Sequence, residues 1–167
     1  MHFPVTSYML PLQVMEVSVI LHNIRSVHNV GSIFRTADAA GVSHIYLTGY
    51  TPAPVDRFGR KRKNFAKVSL GAEKTVGWES TKDISPLLSR LKKRQAFLVA
   101  VEQAPRSIDY RKVPRKRAVA LVFGNEVKGL SPAVLKQCDC VAEIPMRGSK
   151  ESLNVAVAAG IVLFQHT

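Results

Sequence analysis

Three short segments carry polar side chains whose types and spacing suit chemistry on a ligand. The first runs from Leu21 to Ala37. Wound as a helix, it sets Val30, Ile33, Phe34, Ala37 and Gly41 on an apolar face and Asn29, Ser32, Arg35 and Thr36 opposite. A guanidinium beside amides and hydroxyls can hold a polar substrate or stabilise an oxyanion. An ordinary solvated face would read the same way, but this one lacks the mixed Lys/Glu filling of a generic exposed helix. The second segment, 121–131, is an apolar strand entering a glycine turn that carries Glu126. Gly124 and Gly129 have the separation of a phosphate-binding P-loop, yet Leu130 stands where the phosphate-binding lysine belongs, which disfavours ATP or GTP. What remains is a turn where backbone can approach a ligand closely and an acid that accepts hydrogen bonds or binds a cation. A plain tight turn with an exposed acid is the competing reading. The third segment, 144–159, is a Gly/Ser-bearing loop entering an apolar helix, with Ser152 and Asn154 at its first turn. Orphan N–H groups there suit either a ligand or simple capping by Ser152.

These residues need a scaffold that brings three distant segments together. Apolar runs predict strands at 17–21, 44–47, 96–101, 118–123 and 141–144, and helical patterns predict helices at 30–40, 83–93, 132–137 and 153–165. Ser131 followed by Pro132 is a helix start, a hydroxyl cap with proline at the first helical position. Strands alternating with helices predict an α/β fold, and near-continuous apolar strands predict a mostly parallel sheet covered on both faces. Ligands in such folds bind at the carboxyl ends of the strands, where the first two segments begin. Residues 1–15 read as a leader, and 16–167 as a single domain.

Charge narrows the partner. The 167 residues carry 24 Lys+Arg against 12 Asp+Glu, a formal net charge of +12, and this excess points to a polyanion. The densest basic stretch comprises Arg57, Arg60, Lys61, Arg62 and Lys63, a candidate contact for nucleic-acid phosphates; the alternative is a solvated charge run. Two further stretches, at 90–94 and 111–117, are open between these readings. A hydrophobic fraction of 46% excludes the disordered class. The longest apolar stretch, 155–164, is too short to cross a bilayer. Cys138 and Cys140 lack a second pair to complete a zinc site and read as reduced cytoplasmic thiols.

In their order and spacing, the three segments resemble the signature motifs of the SpoU/TrmH-type RNA methyltransferases of the SPOUT class, from about Val17 to the C-terminus. The resemblance implies a deep trefoil knot over roughly 97–164, a feature close to absent among proteins in general. It implies S-adenosyl-L-methionine as cofactor, bent against Val101, Gly124, Ile144, Met146 and Leu153, and a homodimer whose active site is completed across the interface. It also implies transfer of a methyl group to a ribose 2'-hydroxyl of tRNA or rRNA, with no metal and no membrane.

By the same resemblance Arg35 is the catalytic residue, supported by Asn29, Glu126, Ser152 and Asn154. Glu126 is expected to orient Arg35 or Asn29, and Asn154 to order the cofactor loop. Arg35 serves either as a base after burial or, in better accord with the persistent charge of guanidinium groups, as a cation stabilising the developing alkoxide. The rival reading is a catalytically silent RNA-binding protein with a SPOUT fold, whose mark would be loss of Arg35 or of Gly124 and Asn154; none is lost. With little outside the catalytic domain, recognition is expected to come from the dimer surface, which favours tRNA over rRNA.

Overall fold

The computed structural model describes residues 15–167; apart from Met15, the leader expected over 1–15 lies outside the described residues. The elements are, in chain order, β1 (Glu16–His22), α1 (Val27–Ala39), β2 (His44–Thr48), α2 (Lys63–Ser69), α3 (Ala72–Thr75), β3 (Gly77–Thr81), α4 (Ile84–Lys93), β4 (Phe97–Val101), β5 (Ile108–Asp109), β6 (Ala118–Phe123), α5 (Pro132–Leu135), β7 (Cys140–Glu143) and α6 (Val155–His166). A single 3-10 turn, Tyr110–Lys112, follows β5.

The seven strands form one sheet in the order β3-β2-β1-β6-β4-β7-β5, and every pairing is parallel. Alternation along the strands divides the core in two. Val17, Val19 and Leu21 of β1 point into one layer with Phe34 of α1, Phe65 of α2, Ala72 of α3 and Leu163 of α6. Ile20, with Leu98, Ala100, Ala120 and Val122, points into the other with Leu87, Leu88 and Leu91 of α4 and Val134 of α5. Burial on both faces is why these strands read as unbroken apolar runs.

β6 joins the two halves. It pairs with β1 on one side, with Val17 opposite Val119, and with β4 on the other, with Phe97 opposite Val119. The strand order therefore places the ends of β1, β6, β4 and β7 side by side, at the edge where the three motif segments leave the sheet. Ser131 caps α5 as expected, accepting from Val134 N–H at 3.4 Å.

Candidate active site

Each motif segment leaves a strand at its carboxyl end or runs onto a helix at that edge, and hydrogen bonds tie the three together. The turn after β6 is closed by Asn125, whose Oδ1 accepts from Val127 N–H (3.0 Å) and Lys128 N–H (2.8 Å). Its amide nitrogen donates to the carbonyl of Asn23 at 2.9 Å and to the Tyr50 hydroxyl at 3.1 Å. Gly124 is required by packing: a Cβ there would meet the Gly129 carbonyl carbon at 2.6 Å and Leu130 Cγ at 2.8 Å. Gly129 adopts φ +61, the left-handed region that favours glycine. The Glu102 carboxylate, just past the end of β4, accepts from Leu130 N–H at 2.9 Å and holds this turn from beneath.

Glu126 projects from the turn towards the start of α1. Its carboxylate accepts from Arg25 N–H (3.0 Å), Ser26 N–H (3.1 Å) and Asn29 Nδ2–H (3.1 Å). Partial burial alone would raise its pKa, but the hydrogen bonds from Arg25, Ser26 and Asn29 favour the ionised form, and the net direction is below the usual carboxylate range. Asn29 in turn accepts from Asn154 Nδ2–H at 3.2 Å. One amide thus links all three motifs: its nitrogen is fixed by Glu126 and its oxygen by Asn154. Asn154 also caps α6, its Oδ1 accepting from Ala156 N–H at 2.9 Å. The cap considered for Ser152 belongs to Asn154.

Beside this chain lies a cleft of ≈ 360 Å³ lined by Val101, Gly124, Ile144, Met146 and Leu153, the five residues expected to contact a cofactor, together with Glu126, Ser152 and Asn154. Gln103 Nε2–H donates to the Glu151 carbonyl at 2.7 Å, drawing the 144–154 loop against the end of β4. The lining includes Glu102, Glu126, Glu143 and Glu151 and neither lysine nor arginine, in a chain with twice as many basic as acidic residues. Glu102 and Gln103 escape sequence reasoning; their only signal is a position just past a predicted strand.

Arg35 is placed elsewhere. It is exposed on α1 and lines a separate groove with Ser32, Thr36, Lys67 and Phe164. The expectation that Glu126 orients Arg35 or Asn29 resolves to Asn29. Six residues along a helix rotate a side chain by about 120° and advance it by about 9 Å, so the two cannot face one carboxylate. Next to the groove, Val157, Ile161 and Phe164 of α6 are 50%, 37% and 61% exposed, an apolar stripe at helical spacing. The opposite side of α6 buries Ala159, Val162 and Leu163.

The basic stretch Arg57, Arg60, Lys61, Arg62 and Lys63 sits in the β2–α2 loop and enters α2 at Lys63. Arg60 pairs with Asp56 at 2.8 Å, and the Arg57 and Arg60 guanidiniums lie 4.7 and 5.0 Å from the Phe58 ring centroid. Arg62 packs inward, donating to the Val55 carbonyl at 3.4 Å, so it is the least available to an external phosphate. Of the other two stretches, Lys92, Arg94, Lys116 and Arg117 line a hollow at the opposite end of the strands. Among the described residues, no three His, Cys, Asp or Glu side chains gather as metal ligands would.

A parallel sheet with an acidic small-molecule cleft at the carboxyl ends of its strands defines a ligand-binding α/β protein. Residues 16–164 match the SpoU rRNA methylase family, and the chain belongs to that family. It is 34% identical over 150 residues to the tRNA (guanosine(18)-2'-O)-methyltransferase of Aquifex aeolicus, covering 90% of this chain and 68% of that protein. The structure of an AdoMet-bound rRNA methyltransferase from Sinorhizobium meliloti superposes with a TM-score of 0.80 at 32% identity, covering 90% of this chain and 55% of that one. A second structure, described as giving insight into 2-OH methylation of C/U34 on tRNA, has a TM-score of 0.75 at 25% identity; the match covers 90% of this chain and 93% of that one. The chain thus spans about half the length of the Sinorhizobium chain and nearly all of the second structure's chain.

Proposed function

We propose that this chain is an S-adenosylmethionine-dependent RNA methyltransferase acting on a ribose 2'-hydroxyl, with tRNA ahead of rRNA as substrate. The observation that carries the reading is the Glu126–Asn29–Asn154 chain of hydrogen bonds at the rim of a cleft lined by the five expected cofactor residues. Relatives named as 2'-O-methyltransferases of tRNA and of rRNA support the substrate class, and the structure described in terms of tRNA methylation supports tRNA.

The cleft's donor set fits the cofactor. S-adenosylmethionine supplies an electrophilic methyl group on a cationic sulfonium. Four of the chain's twelve acidic residues face this cleft, so its field attracts a cation and repels the phosphates of a nucleotide. Its volume lies within the range of small-molecule sites. Val101, Ile144, Met146 and Leu153 offer an apolar floor, and Gly124 keeps the backbone close.

The chain's own residues then have distinct tasks. Glu126 and Asn154 fix the Asn29 amide, which holds the polar corner of the site, while Ser152 stands at the mouth of the cleft. Arg35 acts as the cation that stabilises the developing alkoxide, and the proton leaves to a phosphate or water. Because Arg35 lies outside its own protomer's cleft, the site is completed in a homodimer, where the stripe of Val157, Ile161 and Phe164 is covered and Arg35 reaches the cleft of the partner. The segment 97–164 is threaded as a trefoil knot within one catalytic unit over 16–167. The likeness to the solved rRNA methyltransferase structure supports that reading. Arg57, Lys61 and Lys63 contact RNA phosphates, with Arg60 and Arg62 engaged within the loop. The free thiols of Cys138 and Cys140 accord with a cytoplasmic protein.

The test is transfer of labelled methyl from S-adenosylmethionine to tRNA and rRNA, followed by nucleoside analysis. A 2'-O-methylated nucleoside supports the proposal; cofactor binding without transfer to any RNA favours a silent RNA-binding protein. Placement of Arg35 across the interface is tested by mixing Arg35→Ala with Asn154→Ala protomers. Heterodimers regain activity only if the arginine acts in trans, because one cleft then keeps both groups.

A further inference from the structure

A ribose held at the Asn29 corner carries its base to one side, and nothing in the catalytic chain accounts for where that base goes. The ring of Tyr50 lies one hydrogen bond from the turn that carries Glu126. Tyr50 follows β2 at the same edge of the sheet and is 58% exposed. An exposed ring is normally free to rotate, but this one is pinned at both ends. Its hydroxyl accepts from the amide of Asn125, the residue directly before Glu126, at 3.1 Å, and its backbone N–H donates to Asn23 Oδ1 at 3.3 Å. Asn125 is only 8% exposed and spends every polar atom of its side chain on Asn23, Tyr50, Val127 and Lys128, so it is a rigid anchor. Gly49 turns the chain into this position with φ +68.

Among the described residues, the other strongly exposed rings differ from Tyr50: Phe58 is covered by cations, and Phe164 belongs to the apolar stripe of α6, away from the Glu126 turn. Phe58 carries the Arg57 and Arg60 guanidiniums, and Arg111 lies over the half-buried Tyr110. An immobilised, open aromatic face beside a site for a single ribose is what a splayed-out base requires, because unpaired bases are held by stacking on such rings. We propose that Tyr50 is the stacking platform for the base of the nucleotide being methylated; this rests on the RNA methyltransferase reading above. Stacking is sequence-tolerant, so Tyr50 sets affinity and orientation, leaving base identity to hydrogen-bonding groups.

The experiment compares Tyr50→Ala, Tyr50→Leu and Tyr50→Phe in methyl transfer to in vitro transcribed tRNA, with cofactor Kd and melting temperature measured alongside. Loss of one base stack raises KM for RNA about ten- to hundred-fold in the Ala and Leu variants. The Phe variant, which keeps the ring, stays within about three-fold of the parent, and cofactor Kd and melting temperature change little in all three. If Phe is as impaired as Ala, or cofactor affinity falls with RNA affinity, Tyr50 merely braces the Asn125 turn and the inference is overturned. Unchanged KM in Tyr50→Ala overturns it too, while leaving the methyltransferase reading intact. Absence of transfer by the parent protein overturns both.

Discussion

Replacing Glu126 by glutamine keeps the size of the side chain and removes its charge. The carboxylate accepts from two backbone N–H groups and from the Asn29 amide, at 3.0, 3.1 and 3.1 Å. Glutamine has one carbonyl oxygen for these donors, and its own NH2 must face at least one of them. Each net hydrogen bond is worth about 0.5–1.5 kcal/mol, towards the lower end here because the residue is exposed, so one or two lost bonds cost about 1–2 kcal/mol. At about 2–4 °C per kcal/mol for a chain of this size, melting falls by about 2–8 °C. The larger effect is on turnover. Once Asn29 loses the acceptor that fixes its nitrogen, the amide can turn and present nitrogen to Asn154, breaking the second link. A displacement of that kind lowers kcat by about 10- to 100-fold. The pH dependence has a definite sign. The folded-state pKa lies below the ordinary 4.5, so the stabilisation is complete above about pH 4.5 and is lost as pH falls through the folded value. The difference in melting temperature between parent and Glu126→Gln is therefore constant near neutrality and shrinks below that pH. Methyl transfer and calorimetry across pH 3.5–8 measure both. A variant with kcat within two-fold of the parent and a melting temperature within 1 °C would refute the hydrogen-bond argument.

Four other outcomes follow from the same geometry. Arg35→Ala abolishes transfer while cofactor Kd, measured by calorimetry, stays within about three-fold, because the side chain lies outside the cleft; equal loss of both sinks its assignment. Gly124→Ala drives a methyl into the Gly129 carbonyl, and equilibrium dialysis should show cofactor affinity falling by about ten-fold or more, with lower melting. Phe164→Asp puts a charge on the exposed stripe of α6; light scattering should report monomers, and turnover should fall with the dimer fraction. Cys138, its thiol pushed up to about 11 by burial and then by the neighbouring Asp139, is about one part in a thousand thiolate at pH 8, so iodoacetamide labels it far more slowly than a free thiol.

The parts of the fold legible in the sequence are those buried on both faces. The strand predicted at 118–123 coincides with β6, and those at 17–21 and 44–47 need one or two residues added. β3, with the sequence GWEST, is an edge strand with no fully buried residue, so its pattern carries no apolar run. α2 and α3 are held by neighbours rather than by a long apolar stripe, and the sequence pattern does not predict them; Lys63, part of the densest basic stretch, opens α2. In the site, the five residues that the resemblance assigns to a cofactor line one cleft. Glu102 remained unseen because its role depends on β4 lying next to β6, which is a fact of strand order. On the helical period Asn29 and Arg35 stand at the two edges of one polar sector, about 120° apart, and the period alone does not say which of them meets Glu126.

The position of β6 between β1 and β4 has a consequence for the newborn chain. β1 is made before its partner on one side: Ala118, opposite Glu16, follows about 100 residues later, which is about 5–20 s of synthesis. During that interval β1 can pair with β2 alone, and its other edge offers a bare row of backbone donors and acceptors along an apolar strand. Slowing elongation after β2 lengthens that exposure, and the protein is then expected to depend on holdase chaperones for soluble yield well before its final helix is translated.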